Sequence, residues 1–152
     1  MSSFLKVFLI IVIILLLIPI QFIFVQFKMR LRKYIPIVFH KILLKILGVK
    51  VKLIGQNTSV RPLILAGNHT SYLDIIILGS IMPICFIAKE EIKYWFLFGF
   101  LAKMQNTIFI KRKNYKTLES LNSINRELND KSAVVLFPEG TTNSGKKVLN
   151  FK

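Results

Sequence analysis

The sequence predicts an α/β protein with a membrane helix at its N-terminus, followed by a sheet with flanking helices. The first observation is an uncharged run of 21 residues, Val7–Phe27. As a helix this run is long enough to cross a hydrocarbon core of about 30 Å. The second is that short apolar runs typical of buried strands alternate with longer helical patterns after residue 60. Together they indicate a membrane anchor and then an α/β domain.

The uncharged run favours an uncleaved anchor. A cleaved signal peptide is the alternative, but the run is longer than a usual apolar signal region and no small-residue cleavage site follows it. Four basic residues lie directly after it, within 28–33, whereas only Lys6 and the amino terminus precede it. This positive-inside bias predicts a cytoplasmic position for the rest of the chain. We assign residues 1–33 to a transmembrane anchor with its basic flank, in a single-pass or monotopic membrane protein.

Residues 34–48 predict a second, amphipathic helix that lies in the membrane interface. Pro36 suits its first turn and Gly48 suits a helix stop. Lys41 and Lys45 are four residues apart on one face, where they would meet lipid phosphates, while the apolar residues enter the acyl boundary. Packing of an ordinary helix on the folded domain is the alternative.

Residues 49–152 are predicted to form the α/β domain. Buried strands are expected in four apolar runs: Leu63–Ala66, Ile84–Ala88, Thr107–Ile110 and Ala133–Phe137. A half-exposed strand is expected at Val49–Leu53, where apolar and basic residues alternate with period two. Helices are expected in three segments: Ser71–Ser80, Glu90–Met104 and Tyr115–Asn129.

The net charge of +15 indicates an anionic partner. Nucleic acid is a common partner at a pI of about 10.2, but a basic segment directly after a hydrophobic span more often binds anionic lipid headgroups. The single cysteine, Cys85, excludes an intramolecular disulfide and gives no zinc spacing. Of the two histidines, His40 is interpreted as an interfacial residue of the second helix and not as a catalytic group.

The other histidine, His69, lies in the segment Asn68–Asp74. A histidine acts as a general base when one ring nitrogen faces the substrate and an acceptor, best a carboxylate, holds the other. Asp74 is such an acceptor, but on one regular helix the two side chains would point about 140° apart. The pair therefore forms only if His69 precedes a helix capped at Ser71 or Thr70. As an isolated pattern, this spacing also fits a loop histidine beside a capping acid.

Four segments, in their order and spacing, resemble the glycerolipid acyltransferase family, whose members include the 1-acylglycerol-3-phosphate acyltransferases. The segments are Asn68–Asp74, Phe86–Glu91, Thr107–Arg112 and Phe137–Thr142. The resemblance extends from about Gly48 to the C-terminus. It implies a glycerolipid-acyltransferase-type sheet in residues 49–152 and an enzyme that transfers fatty acyl groups.

The resemblance also implies roles for individual residues. His69 would remove a proton from the acceptor hydroxyl and Asp74 would fix the tautomer of His69. The hydroxyl oxygen would attack the thioester of acyl-CoA or acyl carrier protein, without a covalent acyl-enzyme. Five residues would bind the acceptor: Lys89 and Arg112 at its phosphate, Glu139 and Gly140 at its glycerol, and Thr141 as a further substrate-binding residue. No metal or redox cofactor is implied.

Several alternatives stay open at this point. Lys89 also fits a solvated helix start, and Lys111–Lys113 also fits a basic surface patch. For the oxyanion of the tetrahedral intermediate, the candidate donors are backbone N–H groups in the turn after His69 or at Gly140.

The chain departs from the family pattern in three places. Asn106 stands where the family usually has glycine, and asparagine tolerates the left-handed conformation that such a turn needs. Thr142 stands where many members have Arg or Ser. The chain ends at Lys152, before the Pro-containing fourth block of the family, so residues 49–152 are expected to be a C-terminally incomplete domain.

The expected function is acylation of lysophosphatidic acid to phosphatidic acid in phospholipid biosynthesis. Acylation of another lysophospholipid or of glycerol 3-phosphate is one alternative. An inactive, truncated remnant that only binds anionic lipid is another. The expected partners are membrane lipids, lysophosphatidic acid and the acyl donor, and not nucleic acid, for which the chain lacks a recognised motif.

Overall fold

The structure is a computed structural model that describes residues 2–56, 58–111, 118–130 and 132–151. The chain forms two compact units. We call them the anchor unit (Met1–Thr58 with Ile75–Pro83) and the sheet unit (Ser59–Asp74 with Ile84–Lys152). The predicted class, α/β with an N-terminal apolar helix, is confirmed.

The anchor unit is built on an antiparallel pair of helices. Helix α1, Ser3–Gln26, is long and apolar enough to cross a membrane, and a short 3₁₀ turn leads from it to α2, Ile35–Leu47. The Lys6 ammonium donates to the carbonyl of Leu47 at 3.5 Å. Because the start of α1 meets the end of α2, the two helices run in opposite directions.

Helix α2 begins and ends as the sequence predicts. Pro36 lies in its first turn and Gly48 ends it in the left-handed region, at a φ of +78°. Lys41 and Lys45 are exposed, but the interfacial position of the helix stays a prediction. The interpretation of His40 as an interfacial residue is wrong, because His40 is buried and its ring lies against Gly79, where a Cβ would come within 2.1 Å of Nδ1.

The sheet unit contains a parallel sheet. Its strands are β1 (Leu63–Ala66), β2 (Ile84–Lys89), β3 (Ile108–Ile110) and β4 (Ala133–Leu136). They lie in the order β1-β4-β2-β3, so the last strand along the chain is inserted beside the first. The central strands supply most of the buried apolar residues, among them Phe86, Val134 and Val135. Burial on both faces explains why these strands are continuous apolar runs.

Helices α3 (Leu73–Gly79), α4 (Phe96–Met104) and α5 (Leu118–Asn129) connect the strands. Helix α5 packs on β3 and β4. The prediction of one continuous helix over Glu90–Met104 is wrong, because a 3₁₀ turn, Glu90–Tyr94, precedes α4 and Trp95 between them is extended. Of the predicted helix Tyr115–Asn129, the first three residues lie outside the described residues.

The predicted strand at Val49–Leu53 is also wrong, since the segment has no strand conformation. Val51 and Leu53 are both exposed. Alternation of apolar and polar residues stabilises a strand only when a neighbouring strand pairs with it and a core covers its apolar face.

Asn106, between α4 and β3, adopts the left-handed conformation, with a φ of +57°. Its N–H donates to the carbonyl of Lys103 at 3.0 Å, and the N–H of Thr107 donates to Ala102 at the same distance. The expectation that asparagine supports this turn in place of glycine is confirmed.

Candidate active site

The predicted site residues follow the carboxyl ends of parallel strands. His69 follows β1, Glu139 follows β4, Lys89 ends β2 and Lys111 follows β3. In a parallel sheet these ends meet at one edge, where α/β proteins commonly bind ligands. Because β4 lies directly beside β1, the turns that carry His69 and Glu139 are neighbours.

His69 lies in the turn between β1 and α3, and Asp74 lies in the first turn of α3. The hydroxyl of Ser71 accepts a hydrogen bond from the N–H of Leu73 at 3.1 Å, which caps the helix. Nδ1 of His69 lies 2.9 Å from Oδ2 of Asp74. The structure therefore brings the two predicted catalytic side chains together, and does so in the way that the spacing requires, with the histidine before the helix.

The Asp74 carboxylate is held by the turn that it closes. Its Oδ2 accepts the N–H groups of Thr70 at 2.7 Å and Ser71 at 2.9 Å as well as the His69 ring. Burial raises the pKa of Asp74, but the Ser71 N–H, the His69 ring and the Thr70 N–H together bring it below its usual value of 3.8. Near neutral pH Asp74 is thus an ionised carboxylate, which favours the His69 tautomer that carries its proton on Nδ1.

The His69 ring is also fixed from its face. It stacks on the ring of Phe137, with 4.2 Å between centroids and 16° between planes. Within the described residues, no group hydrogen-bonds to Nε2 of His69. With Nδ1 held by Asp74, Nε2 has a lone pair available to take a proton. Phe137 lies in one of the predicted motifs, but no role was predicted for it. The signal that could have indicated a role was its position directly after β4.

Glu139 lies in the turn after β4. The N–H of Gly140 donates to the carbonyl of Phe137 at 2.9 Å, and Gly140 has a φ of +63°. The Glu139 side chain is 1% exposed. Its Oε2 accepts from the side-chain amide of Asn143, whereas Oε1 has no hydrogen-bond partner among the described residues. A buried carboxylate oxygen without a partner is costly, and Oε1 therefore lacks the hydrogen-bond donor that its burial calls for.

Asn143 joins the two turns. Its N–H donates to the carbonyl of His69 at 2.9 Å, its side-chain amide donates to Glu139, and its Oδ1 accepts the N–H of Gly145 at 2.5 Å. Asn143 was not among the predicted site residues, because it lies one position beyond the Phe137–Thr142 segment. Its amide side chain, typical of turns, was the only signal.

The structure describes only some of the residues that were predicted to bind the acceptor. Gly140 and Thr141 follow Glu139 and are half-buried. Lys89 ends β2, two strands or roughly 10 Å from β1. Lys89 is half-buried and makes no ion pair within the described residues. Arg112 lies outside the described residues, so the phosphate site stays a prediction.

The oxyanion donors stay a prediction. The N–H groups of Thr70 and Ser71 donate to Asp74, and that of Gly140 donates to the carbonyl of Phe137. These three donors close the first turn of α3 and the turn after β4.

Cys85 lies in β2 and is buried. Burial, with a contribution from the negative charge of Glu127, raises the pKa of its thiol to about 12. A thiol of this kind is a poor nucleophile near neutral pH. Across the described ranges, His, Cys, Asp and Glu form no group of three or more that could hold a metal ion.

Residues 50–152 match the model of the protein family described as Acyltransferase. The lyso-ornithine lipid O-acyltransferase of Rhizobium meliloti (strain 1021) is 37% identical over 145 residues, which are 95% of this chain and 50% of the relative. The enzyme of the same name from Brucella abortus (strain 2308) is 37% identical over 150 residues, 98% of this chain and 56% of the relative.

The 1-acyl-sn-glycerol-3-phosphate acyltransferase of Neisseria gonorrhoeae is 37% identical over 102 residues, 65% of this chain and 40% of the relative. The chain thus spans about half the length, or less, of these curated relatives. No solved structure matches the chain.

Proposed function

Because this chain belongs to the Acyltransferase family, we propose that it transfers a fatty acyl group to the free hydroxyl of a lysolipid, with lysophosphatidic acid as acceptor and phosphatidic acid as product. The observation that carries the proposal is the His69–Asp74 pair. Nδ1 of His69 lies 2.9 Å from Oδ2 of Asp74, while Nε2 of His69 has no partner in the described chain. The family match and the names of the relatives support the same chemistry.

In the proposed reaction, Nε2 of His69 takes the proton of the acceptor hydroxyl while the hydroxyl oxygen attacks the thioester carbonyl. The new ester bond forms, the carbon–sulfur bond breaks, and the thiolate of coenzyme A or of acyl carrier protein leaves with the proton that His69 returns. Asp74 keeps the ring in the required tautomer, and Phe137 keeps its plane. General-base catalysis of this kind contributes roughly 10²–10⁴ in rate. No metal or redox cofactor takes part.

The acceptor is proposed to bind beside this pair. Oε1 of Glu139 would accept a hydrogen bond from a glycerol hydroxyl, next to Gly140 and Thr141. Lys89 and Arg112 would hold the phosphate, where arginine offers a two-pronged hydrogen-bond donor and lysine a compact charge. The support for this arrangement is the common edge of the sheet at which β1, β2 and β4 end.

A second candidate acceptor is lyso-ornithine lipid. The two relatives that align with 95% and 98% of this chain carry that name, whereas the gonococcal relative aligns with 65%. Another lysophospholipid or glycerol 3-phosphate would present a hydroxyl to the same base. The donor is acyl-CoA or acyl carrier protein.

We further propose that α1 anchors the chain in the membrane with the catalytic side in the cytoplasm. The basic residues that follow α1, Arg30–Lys33 among them, support this orientation.

The test is an acyl-transfer assay with the purified chain in lipid vesicles. Labelled lysophosphatidate and lyso-ornithine lipid are offered in turn, each with acyl-CoA and with acyl carrier protein. We expect labelled phosphatidate, and no product from His69→Ala although this variant still sediments with vesicles. The other histidine provides the matched control, His40→Gln, which should keep its activity.

Product formation by His69→Ala at the wild-type rate would contradict the proposed mechanism. Absence of product from the wild type with every acceptor and donor would contradict the function itself and favour the alternative, a membrane-bound form that only binds anionic lipid.

A further inference from the structure

The sheet unit carries exposed aromatic residues that the proposed reaction does not use. We call them the aromatic patch: Tyr94, Trp95, Phe96, Phe98 and Phe100. Phe96 is 99% exposed and Tyr94 is 74% exposed. So many exposed aromatic rings within one short segment are unusual on proteins that contact only water, and exposed apolar surface often marks a site that binds a partner or a membrane.

Close backbone packing holds these rings outward. At Gly99 a Cβ would lie 2.4 Å from the carbonyl oxygen of Lys93 and 2.7 Å from that of Ile92. Helix α4 therefore touches the 3₁₀ turn before it, backbone against backbone, and the N–H of Trp95 donates to Ile92 at 3.1 Å. No side chain fits between the two elements. This contact fixes α4 against the turn that carries Tyr94 and Trp95.

The composition of the patch matches a membrane surface. Tryptophan and tyrosine are enriched where headgroups meet acyl chains, and phenylalanine enters the acyl region. Two exposed lysines, Lys93 and Lys103, flank the patch. Of the two acidic residues that precede Lys93, Glu90 pairs with Lys111 at 3.9 Å and Glu91 is exposed. The Lys93 ammonium lies 5.9 Å from the centre of the Tyr94 ring. Positive charge beside exposed rings complements anionic headgroups, as is typical of interfacial membrane contacts.

From these observations we propose that the aromatic patch inserts into the headgroup and acyl boundary of a bilayer containing anionic lipid. It is a second membrane contact, supplied by the sheet unit and distinct from α1. The proposal does not depend on acyl transfer. It can fail while the proposed function holds, and the proposed function can fail while the membrane contact holds.

The chain contains one tryptophan, Trp95, and it lies in the patch. The fluorescence of the unmodified chain therefore reports on this surface without any labelling. The protein is reconstituted into vesicles of phosphatidylcholine and phosphatidylglycerol, with or without brominated acyl chains. We expect emission shifted to shorter wavelength, strong quenching by the brominated chains and little quenching by aqueous acrylamide.

A matched control moves the tryptophan to an exposed site of the sheet unit that the proposal keeps in water. The control is Trp95→Phe with Leu121→Trp, because Leu121 on α5 is 48% exposed and Trp95 is 46% exposed. Acrylamide should quench the control, and brominated lipid should not. Phe96→Glu is expected to reduce the lipid quenching of Trp95, and its side chain is too exposed to affect folding.

Quenching of Trp95 by acrylamide and not by brominated lipid would overturn the proposal. So would equal lipid quenching of Trp95 and of the tryptophan at position 121, since the patch would then not differ from the rest of the surface. Protection from both quenchers would show that a protein surface, such as a second copy of the chain, covers the patch, which also overturns it.

Discussion

Two carboxylates, Asp74 and Glu139, lie in neighbouring turns and are held in opposite ways. The Asp74 side chain is 20% exposed, yet it accepts hydrogen bonds from His69, Thr70 and Ser71. The Glu139 side chain is 1% exposed, yet it has one partner within the described residues, Asn143. Burial alone would demand the reverse, because a buried carboxylate needs more partners than an exposed one.

The difference in hydrogen bonding indicates a different role for each carboxylate. Asp74 has used its acceptor capacity to fix the turn and the tautomer of His69, so it is suited to positioning. Glu139 keeps an oxygen that no described residue uses, and this is the oxygen that we propose binds a substrate hydroxyl. Substitutions at the two carboxylates should therefore change different kinetic constants.

The largest effect is expected from Asp74→Asn. The amide nitrogen would face the N–H groups of Thr70 and Ser71, and an amide oxygen holds the His69 tautomer more weakly than a carboxylate. We expect kcat to fall roughly 10³-fold, within the range for loss of general-base catalysis, with little change in KM for the lysolipid. Steady-state kinetics measure both. A rise in KM at unchanged kcat would show that Asp74 binds substrate instead.

Glu139→Gln should change KM more than kcat, which is the reverse of the effect expected for Asp74→Asn. It keeps the size of the side chain but removes a charge-assisted hydrogen bond to the acceptor, worth about 1.5–3 kcal/mol. We expect KM for the lysolipid to rise at least about tenfold with a smaller change in kcat. Glu119→Gln on the exposed surface of α5 is the matched control and should change neither constant. A fall in kcat alone for Glu139→Gln would remove the distinction between the carboxylates.

Asn143 connects the two turns, and its substitution should have an intermediate effect. Asn143→Ala removes the side-chain bonds to Glu139 and to the N–H of Gly145 but keeps the backbone bond to His69. We expect about a tenfold loss of kcat/KM from the lost bond to Glu139, at about 1–1.5 kcal/mol. Asn143→Asp should cost more, because it places a second negative charge beside a buried carboxylate. If Asn143→Asp were the milder change, Asn143 would act only as a spacer.

The smallest effect concerns stability and pH. The folded-state pKa of Asp74 lies below its usual value of 3.8, so the unfolded state binds more protons as the pH falls. The stability contributed by this carboxylate is present above about pH 4 and is lost as the pH falls through the folded pKa. The Tm of the wild type in detergent should exceed that of Asp74→Asn at pH 7, and the difference should shrink below pH 4. A difference that does not change with pH would contradict this.

The sequence predicted features that depend on nearby residues. The four strands, the caps of α2 and the geometry of the His69–Asp74 pair all follow from local spacing and turn chemistry. The structure confirms the strands and caps and brings the pair together. The expected burial of β1 is wrong, because its residues alternate between half-buried and exposed. The left-handed conformation of Asn106 is another feature that could be predicted from nearby residues.

Features that depend on distant contacts were missed. The insertion of β4 beside β1 brings Phe137 to the His69 ring and Asn143 to its carbonyl, and no local pattern specifies which strands pair. The expected strand at Val49–Leu53 failed for the same reason. Alternation of apolar and polar residues shows which face of a strand could be buried, but it does not show whether a neighbouring strand pairs with it.

The central claim is that Asp74 acts through His69. The direct test compares the acyl-transfer rates of the wild type, His69→Ala, Asp74→Asn and the double variant, all in the same vesicles. If the two residues act as one unit, the double variant should be no slower than His69→Ala, because a carboxylate that only orients an imidazole has nothing left to orient. Losses that multiply in the double variant would show that Asp74 acts independently and would contradict the account.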